Sequence, residues 1–261
     1  MKKLLLRFLE IYSFREVIKN FVSRDLKARY KGSFLGFFWS FLNPLLNLLV
    51  LAIVFSFVIR AEVKNYPIFL LIGILAWQFL ASSLTLGARS IIENGGLIKK
   101  IHLAREVFPL STVLGNLVHL FFALIILFLF LLYFKVFPSF TWLLFPYFLF
   151  LQLLFTLGLA FLVSSLSVYF RDIPLLIESL LPAWYFASPI FYPPSLIPAK
   201  FLKIYFLNPM ASFLTAYRNI LIDGVIPGKE VFLVTLASSL VLFFVGYLIF
   251  AKLEKRFAEE I

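Results

Sequence analysis

The sequence offers few residues that could do covalent chemistry. It has no cysteine, and its two histidines, His102 and His119, stand well apart. Disulfides and thiolate metal sites are therefore excluded. A membrane-embedded transferase would need acidic or histidine groups gathered at one face, and no such set occurs. His102 reads as a contact residue. His119 has no carboxylate near it in sequence, which favours an interhelical hydrogen bond over a proton relay. No G-x-x-x-x-G-K-[ST] phosphate loop is present, because Gly224 to Gly228-Lys229-Glu230 has the wrong spacing and lacks the hydroxyl. The polar residues that interrupt the apolar stretches are Asn43, Asn47, Gln78, Asn116, His119 and Gln152. Groups of this kind tend to face other helices or a wet cavity.

The elements that position these residues are membrane spans. Hydrophobic residues make up 62% of the 261 and charged residues 14%, with a mean hydropathy of +1.01. A soluble fold could not hide that much apolar surface, whereas lipid solvates it. A bilayer core takes about 20 mostly apolar residues as a helix. Six stretches qualify: Phe34–Ile59, Pro67–Ala88, Val107–Phe134, Trp142–Phe170, Pro174–Phe191 and Val231–Ala251. The fifth is short and carries Pro182 and Pro189. The third and fourth exceed the need, which implies tilt or extension beyond the bilayer.

Lys and Arg in the connections set the orientation. The N-terminal segment has nine, the second-to-third connection four, the fourth-to-fifth one and the C-terminus three, seventeen on one side. The other side carries seven: Arg60, Lys64, Lys135, Lys200, Lys203, Arg218 and Lys229. The positive-inside rule puts the larger group, and both termini, in the cytoplasm. Topology thus accounts for the net charge of +11, and no nucleic-acid partner is expected. The opening Met1-Lys2-Lys3-Leu4-Leu5-Leu6 imitates a signal peptide, but Arg7, Glu10, Arg15 and Glu16 break the run, so cleavage is not expected. The whole of 1–261 reads as one domain: an interfacial segment at 1–33, a six-helix membrane region at 34–251 and a cytoplasmic tail at 252–261.

Two segments stand apart from plain spans. Leu4, Phe8, Ile11, Phe14, Ile18, Phe21 and Val22 recur at three- and four-residue steps with charges between them. That pattern predicts an amphipathic helix lying in the membrane interface, either as a collar that meets a partner or substrate or as a simple anchor. Between the fifth and sixth spans, Pro182, Pro189, Pro193, Pro194, Pro198 and Pro209 punctuate an apolar stretch. It is too apolar for a soluble loop and too interrupted for a regular span. Two short re-entrant helices sheltered by protein fit it, and a helical hairpin resting on the outer surface is the alternative.

The residues Arg24-Asp25-Leu26-Lys27-Ala28-Arg29-Tyr30-Lys31, Ser33, Leu35-Gly36, Trp39 and Leu42 to Pro44-Leu45 form one motif. A second comprises Ser188-Pro189-Ile190, Tyr192-Pro193, Ile197-Pro198, Asn208-Pro209, Tyr217-Arg218 and Gly224. Together, on an all-α six-span scaffold, they resemble the ABC-2 type permeases, and within these the membrane subunits that export O-antigen, capsular polysaccharide or teichoic acid. The resemblance runs along essentially the whole chain. It implies a homodimer in the inner membrane, two copies of a separate ATPase that binds ATP and Mg, and a lipid-linked polysaccharide as cargo. No cofactor is expected in this chain. An ABC-2 exporter of a drug or small lipid is the other transport reading.

The resemblance also implies residue roles. The connection through Gly95, Gly96, Lys99, Lys100, His102 and Arg105 would be the coupling helix seated on the ATPase, or else an ordinary basic loop. Arg24, Lys27, Arg29, Tyr30 and Lys31 would form the cytoplasmic interface. A sliding glycan needs aromatic faces, which Phe37, Phe38, Trp39 and Phe41 on the first span and Trp184, Tyr185, Phe186 and Tyr192 near the fifth could supply. Trp and Tyr at span ends are also ordinary interfacial anchors. Arg218 and Asp223 fall near the outer mouth, to meet substrate, to pair, or to stabilise the hairpin.

Overall fold

A computed structural model describes residues 7, 10–33, 36–54, 65–100, 103–198, 200, 205 and 207–261. The side chains of Arg29, Tyr30, Phe37 and Phe41, and the whole of His102, lie outside the described set. The elements are all helical among the described residues. They run α1 (Arg15–Tyr30), α2 (Trp39–Ile53), α3 (Tyr66–Glu93), α4 (Gly95–Lys100), α5 (Val107–Tyr133), α6 (Phe145–Tyr169), α7 (Ile173–Phe186), α8 (Pro209–Arg218), α9 (Lys229–Leu253) and α10 (Phe257–Glu260).

Among the described residues, four helical stretches are long and apolar enough to cross a membrane: Tyr66–Lys100, Val107–Tyr133, Phe140–Tyr169 and Lys229–Glu260. They coincide with the second, third, fourth and sixth expected spans, because an uninterrupted apolar run leaves the backbone no better partner than itself. The other two expected spans differ. α2 has 15 residues, and the remainder of Phe34–Ile59 lies partly outside the described residues. α7 has 14 and stops at Phe186, short of the expected Phe191. At 1.5 Å per residue it is about 21 Å long, less than a bilayer core. Its continuation through Ser188-Pro189 cannot keep helical hydrogen bonding, since Pro189 lacks the donor.

α3 lies at the centre, against α2, α5, α6 and α7. α9 packs chiefly on α6 and presents Leu233, Val241, Phe244 and Leu248 outward, surface that lipid would cover. The α6–α9 crossing is unusually close. A Cβ on Gly158 would strike the Leu242 and Phe243 backbone, and one on Gly246 would strike Gly158. Small residues at such a crossing let backbones approach and gain dispersion contacts without any hydrophobic drive. The crossing is reinforced by the Ser239 hydroxyl, which donates to Leu151 O at 2.8 Å. α1 lies along α5, its Phe21 ring meeting Phe108 edge-on at 5.4 Å. Ile18, Phe21 and Val22 are half-buried while Lys19, Arg24 and Lys27 are exposed, the two-faced pattern expected.

Candidate functional site

The connected features fall at the two ends of the bundle. At one end α3 finishes, α4 turns, α5 begins and α9 finishes. The Arg7 guanidinium lies among these. It donates to Glu106 from Nε at 2.7 Å and from Nη2 at 3.0 Å. It also reaches Glu254 at 2.8 Å and Glu10 at 2.8 Å. Glu106 is fully buried, so the forked pair is what makes its charge tolerable. Arg105 donates to the backbone oxygen of Glu254. Burial, then the nearby Glu106 charge, push the Glu254 carboxyl up to about 7, with Arg7 and Arg105 opposing. Burial works against the Arg7 charge, but its bond to Glu106 and the fields of Glu106 and Glu254 prevail, and its pKa is raised.

The same end holds α4. Gly95 and Ile98 are buried, while Gly96, Lys99 and Lys100 are exposed and Arg105 is half-buried. Neither glycine adopts a positive φ. The break between α3 and α4 falls at Asn94, whose side-chain amide donates to Ser90 O at 2.8 Å. Gly95 is instead a close approach: a Cβ there would meet the Ile261 side chain. Beside it Phe257, fully buried, packs edge-on against Phe250 at 5.5 Å. Arg24 covers the Phe21 ring at 4.5 Å and comes within 3.4 Å of the Asn94 Oδ1. It therefore reaches the α3–α4 junction. Lys27 and Lys31 are exposed.

The opposite end gathers the proline-rich segment around two polar anchors. Asn208 caps α8 by accepting from Met210 N at 3.1 Å, a favourable N-cap role. It also accepts from Trp184 Nε1 at 2.9 Å and donates to Ser188 Oγ at 2.9 Å. Arg218 is only 5% exposed. Its Nη1 donates to Pro189 O, and its Nη2 donates to Ile190 O at 2.9 Å and to Phe69 O at 3.1 Å. Its guanidinium sits 3.3 Å from the Phe69 ring centroid. Gly73 makes room for this, since a Cβ would come within 2.9 Å of Ile190 O and 3.0 Å of Arg218 Nη2. Arg218 turns inward and bonds the loop carbonyls of Pro189 and Ile190. Asp223 stays exposed.

Among the described residues, the aromatic candidates lie on two different segments. Trp184 and Tyr185 are half-buried, each meeting Trp77 at 5.6 Å. Phe186 is 65% exposed and touches Phe191 at 5.5 Å, and the Tyr192 hydroxyl donates to Phe186 O at 3.2 Å. Phe38 and Trp39 are exposed, with Trp39 Nε1 donating to Ser33 Oγ at 3.1 Å. They open α2, which lies along α3 and α5, whereas α7 lies along α3 and α6. Phe37 and Phe41 have no described side chain. Trp77, Glu106 and Glu254 escaped sequence reasoning as site residues. For Trp77 the one available signal was an indole inside a span, where its N–H needs a partner.

Helices of this length and composition define a multi-pass α-helical membrane protein. The chain belongs to the ABC-2 type transporter family, whose model matches residues 16–222. It is 35% identical to the O-antigen export system permease protein RfbA of Myxococcus xanthus over 97% of this chain and 98% of that one. An RfbA of Klebsiella pneumoniae is also 35% identical, over 91% and 92% of the two chains. The polysialic acid transport protein KpsM of Escherichia coli is 26% identical over 78% and 80%.

Proposed function

We propose that this chain is the membrane-spanning permease subunit of an ABC exporter that moves a lipid-linked, O-antigen-like polysaccharide across the cytoplasmic membrane, powered by a separate ATPase. The observation that carries the reading is the end-to-end similarity to O-antigen permeases, 35% over 97% of this chain. The relatives named for polysialic acid transport support a glycan as the class of cargo. Deleting the gene and fractionating the cells tests it. Undecorated cell surfaces with lipid-linked glycan held inside are expected, and normal surface glycan would reject the reading.

In this reading the single domain of 1–261 forms six spans, with α2 and α7 contributing the two that are short here and α1 lying in the interface. Both termini face the cytoplasm. The segment around α8 is re-entrant, held by Arg218 and Asn208. Two copies pair, and each docks one ATPase that binds ATP and Mg. The exposed Lys99 and Lys100 of α4, with Arg24, Lys27 and Lys31 of α1, meet the ATPase. Arg7 ties the start of α5, through Glu106, to the end of α9, through Glu254, while α4 meets the chain end at Ile261. Phe38, Trp39 and Phe186 are the candidate aromatics best exposed to touch a passing glycan; Tyr185 packs edge-on against Phe186 at 5.5 Å.

A further inference from the structure

α3 is almost wholly enclosed, and where it is not, it is mostly polar. Between Ile68 and Ile91 only Gln78, Ala81, Ser82, Thr85, Leu86 and Arg89 escape burial. Four of these six are polar and follow one another at steps of four, three and four residues, so Gln78, Ser82, Thr85 and Arg89 share one helix face. The strip runs for about 16 Å, roughly half of a bilayer core. At one end Arg89 Nη2 donates to Glu178 of α7 at 2.6 Å. At the other, Trp77, the neighbour of Gln78, meets Trp184 and Tyr185 of α7 at 5.6 Å each. The strip thus runs beside α7 from an ion pair to a cluster of aromatic rings.

Its composition does not suit lipid. The outward face of α9 is what lipid would cover, and it carries Leu233, Val241, Phe244 and Leu248. An amide and an ion pair are costly to place against hydrocarbon. A second copy is better served by Leu175, Leu176 and Leu180 of α7 than by an ion pair whose side chains stay 45% and 41% exposed. A hydrated passage fits both ends of the strip. A glycan carries hydroxyl donors and acceptors on every ring, and amide and hydroxyl side chains exchange partners with them at little net cost, because each bond lost is replaced. We infer that this strip of α3 is a wall along which glycan hydroxyls pass, and that Arg89–Glu178 is the latch closing it at the cytoplasmic end. An exposed pair is weak enough to part and re-form as cargo enters. The inference rests on the exporter reading above and adds to the candidate aromatics a polar wall and a gate.

The chain has no cysteine, so single cysteines report on the strip without background. Ser82→Cys and Thr85→Cys are introduced one at a time in the full chain, assembled with its ATPase in lipid nanodiscs that leave both faces open to water. A charged methanethiosulfonate reacts with a hydrated thiolate and not with a thiol buried in lipid. During ATP turnover both cysteines should react roughly tenfold faster than Ile125→Cys, at an exposed apolar position of α5. Adding Glu178→Gln should speed labelling in the absence of ATP by roughly fivefold, the factor an exposed ion pair is worth. Exchanging the pair, Arg89→Glu with Glu178→Arg, should restore the slow rate. Labelling no faster than at Ile125→Cys overturns the passage. Disulfides between two copies at Ser82→Cys, with no labelling, overturn it too, by making the strip an interface. Labelling indifferent to Glu178→Gln overturns the latch. Surface glycan in cells lacking this chain separates the two readings. If it persists, the exporter reading fails; if it is lost but the cysteines stay unlabelled, the strip alone falls.

Discussion

Glu254 and Glu106 share one arginine, and that imbalance has a measurable pH signature. The folded chain keeps the Glu254 proton up to about 7, against an ordinary 4.5. Between those values the folded state binds more protons than the unfolded one, so this group's contribution makes stability fall as pH rises. A glutamine in place of Glu254 would imitate the protonated acid. Thermal unfolding of the purified complex should therefore show Glu254→Gln gaining on the parent from pH 5 to pH 8. A constant difference contradicts the assignment. Arg7→Ala should act the other way by stranding the buried Glu106, at a cost of about 3 kcal/mol, the low end for a broken buried pair, since Arg7 keeps some contact with water. A loss within about 0.5 kcal/mol would mean the pair is not formed. For the aromatics, Phe186→Ala is a cleaner test than Tyr185→Ala, because Tyr185 also packs on Trp77. Polymer export should slow several-fold with ATPase binding unchanged, and unaltered export removes Phe186 from the path.

At the scale of elements, α4 and the α6–α9 crossing make separate predictions. Deleting 99–103, or replacing Gly95 and Gly96 together with valine, should leave ATP hydrolysis running without export; hydrolysis and export falling together would assign α4 to assembly instead. Gly158→Val should separate α6 from α9 and lower the yield of folded protein, because a Cβ there meets backbone and not a yielding side chain. The elements differ in how far the sequence discloses them. The expected Val107–Phe134 became the helix Val107–Tyr133, because twenty-odd apolar residues in lipid have one solution. Length read less well at α7, where Pro189 ended the helix early. The two anchors were harder still. Arg7 meets residues 99 and 247 positions away, and nothing local in sequence pairs a cation with one glutamate among several. Arg218 was visible as a charge near the outer end, but its inward turn depends on the Pro189 and Ile190 carbonyls and on the space at Gly73. Hydropathy carries no record of such geometry.

For the whole molecule, the proposal makes this chain half of a pathway. α2 exposes Leu46, Leu49, Val50 and Ile53, and α7 exposes Leu175, Leu176 and Leu180, faces that a second copy or lipid would cover. Native mass spectrometry of the complex should give two permeases and two ATPases, and a one-to-one complex would contradict the pairing. The most direct test of the account is transport itself. The purified permease and its ATPase are placed in liposomes with lipid-linked glycan on the side where the ATPase docks. The account predicts ATP-dependent appearance of glycan on the opposite side, abolished when this chain is omitted. Glycan that stays on its original side while ATP is hydrolysed by the intact, paired complex would contradict it.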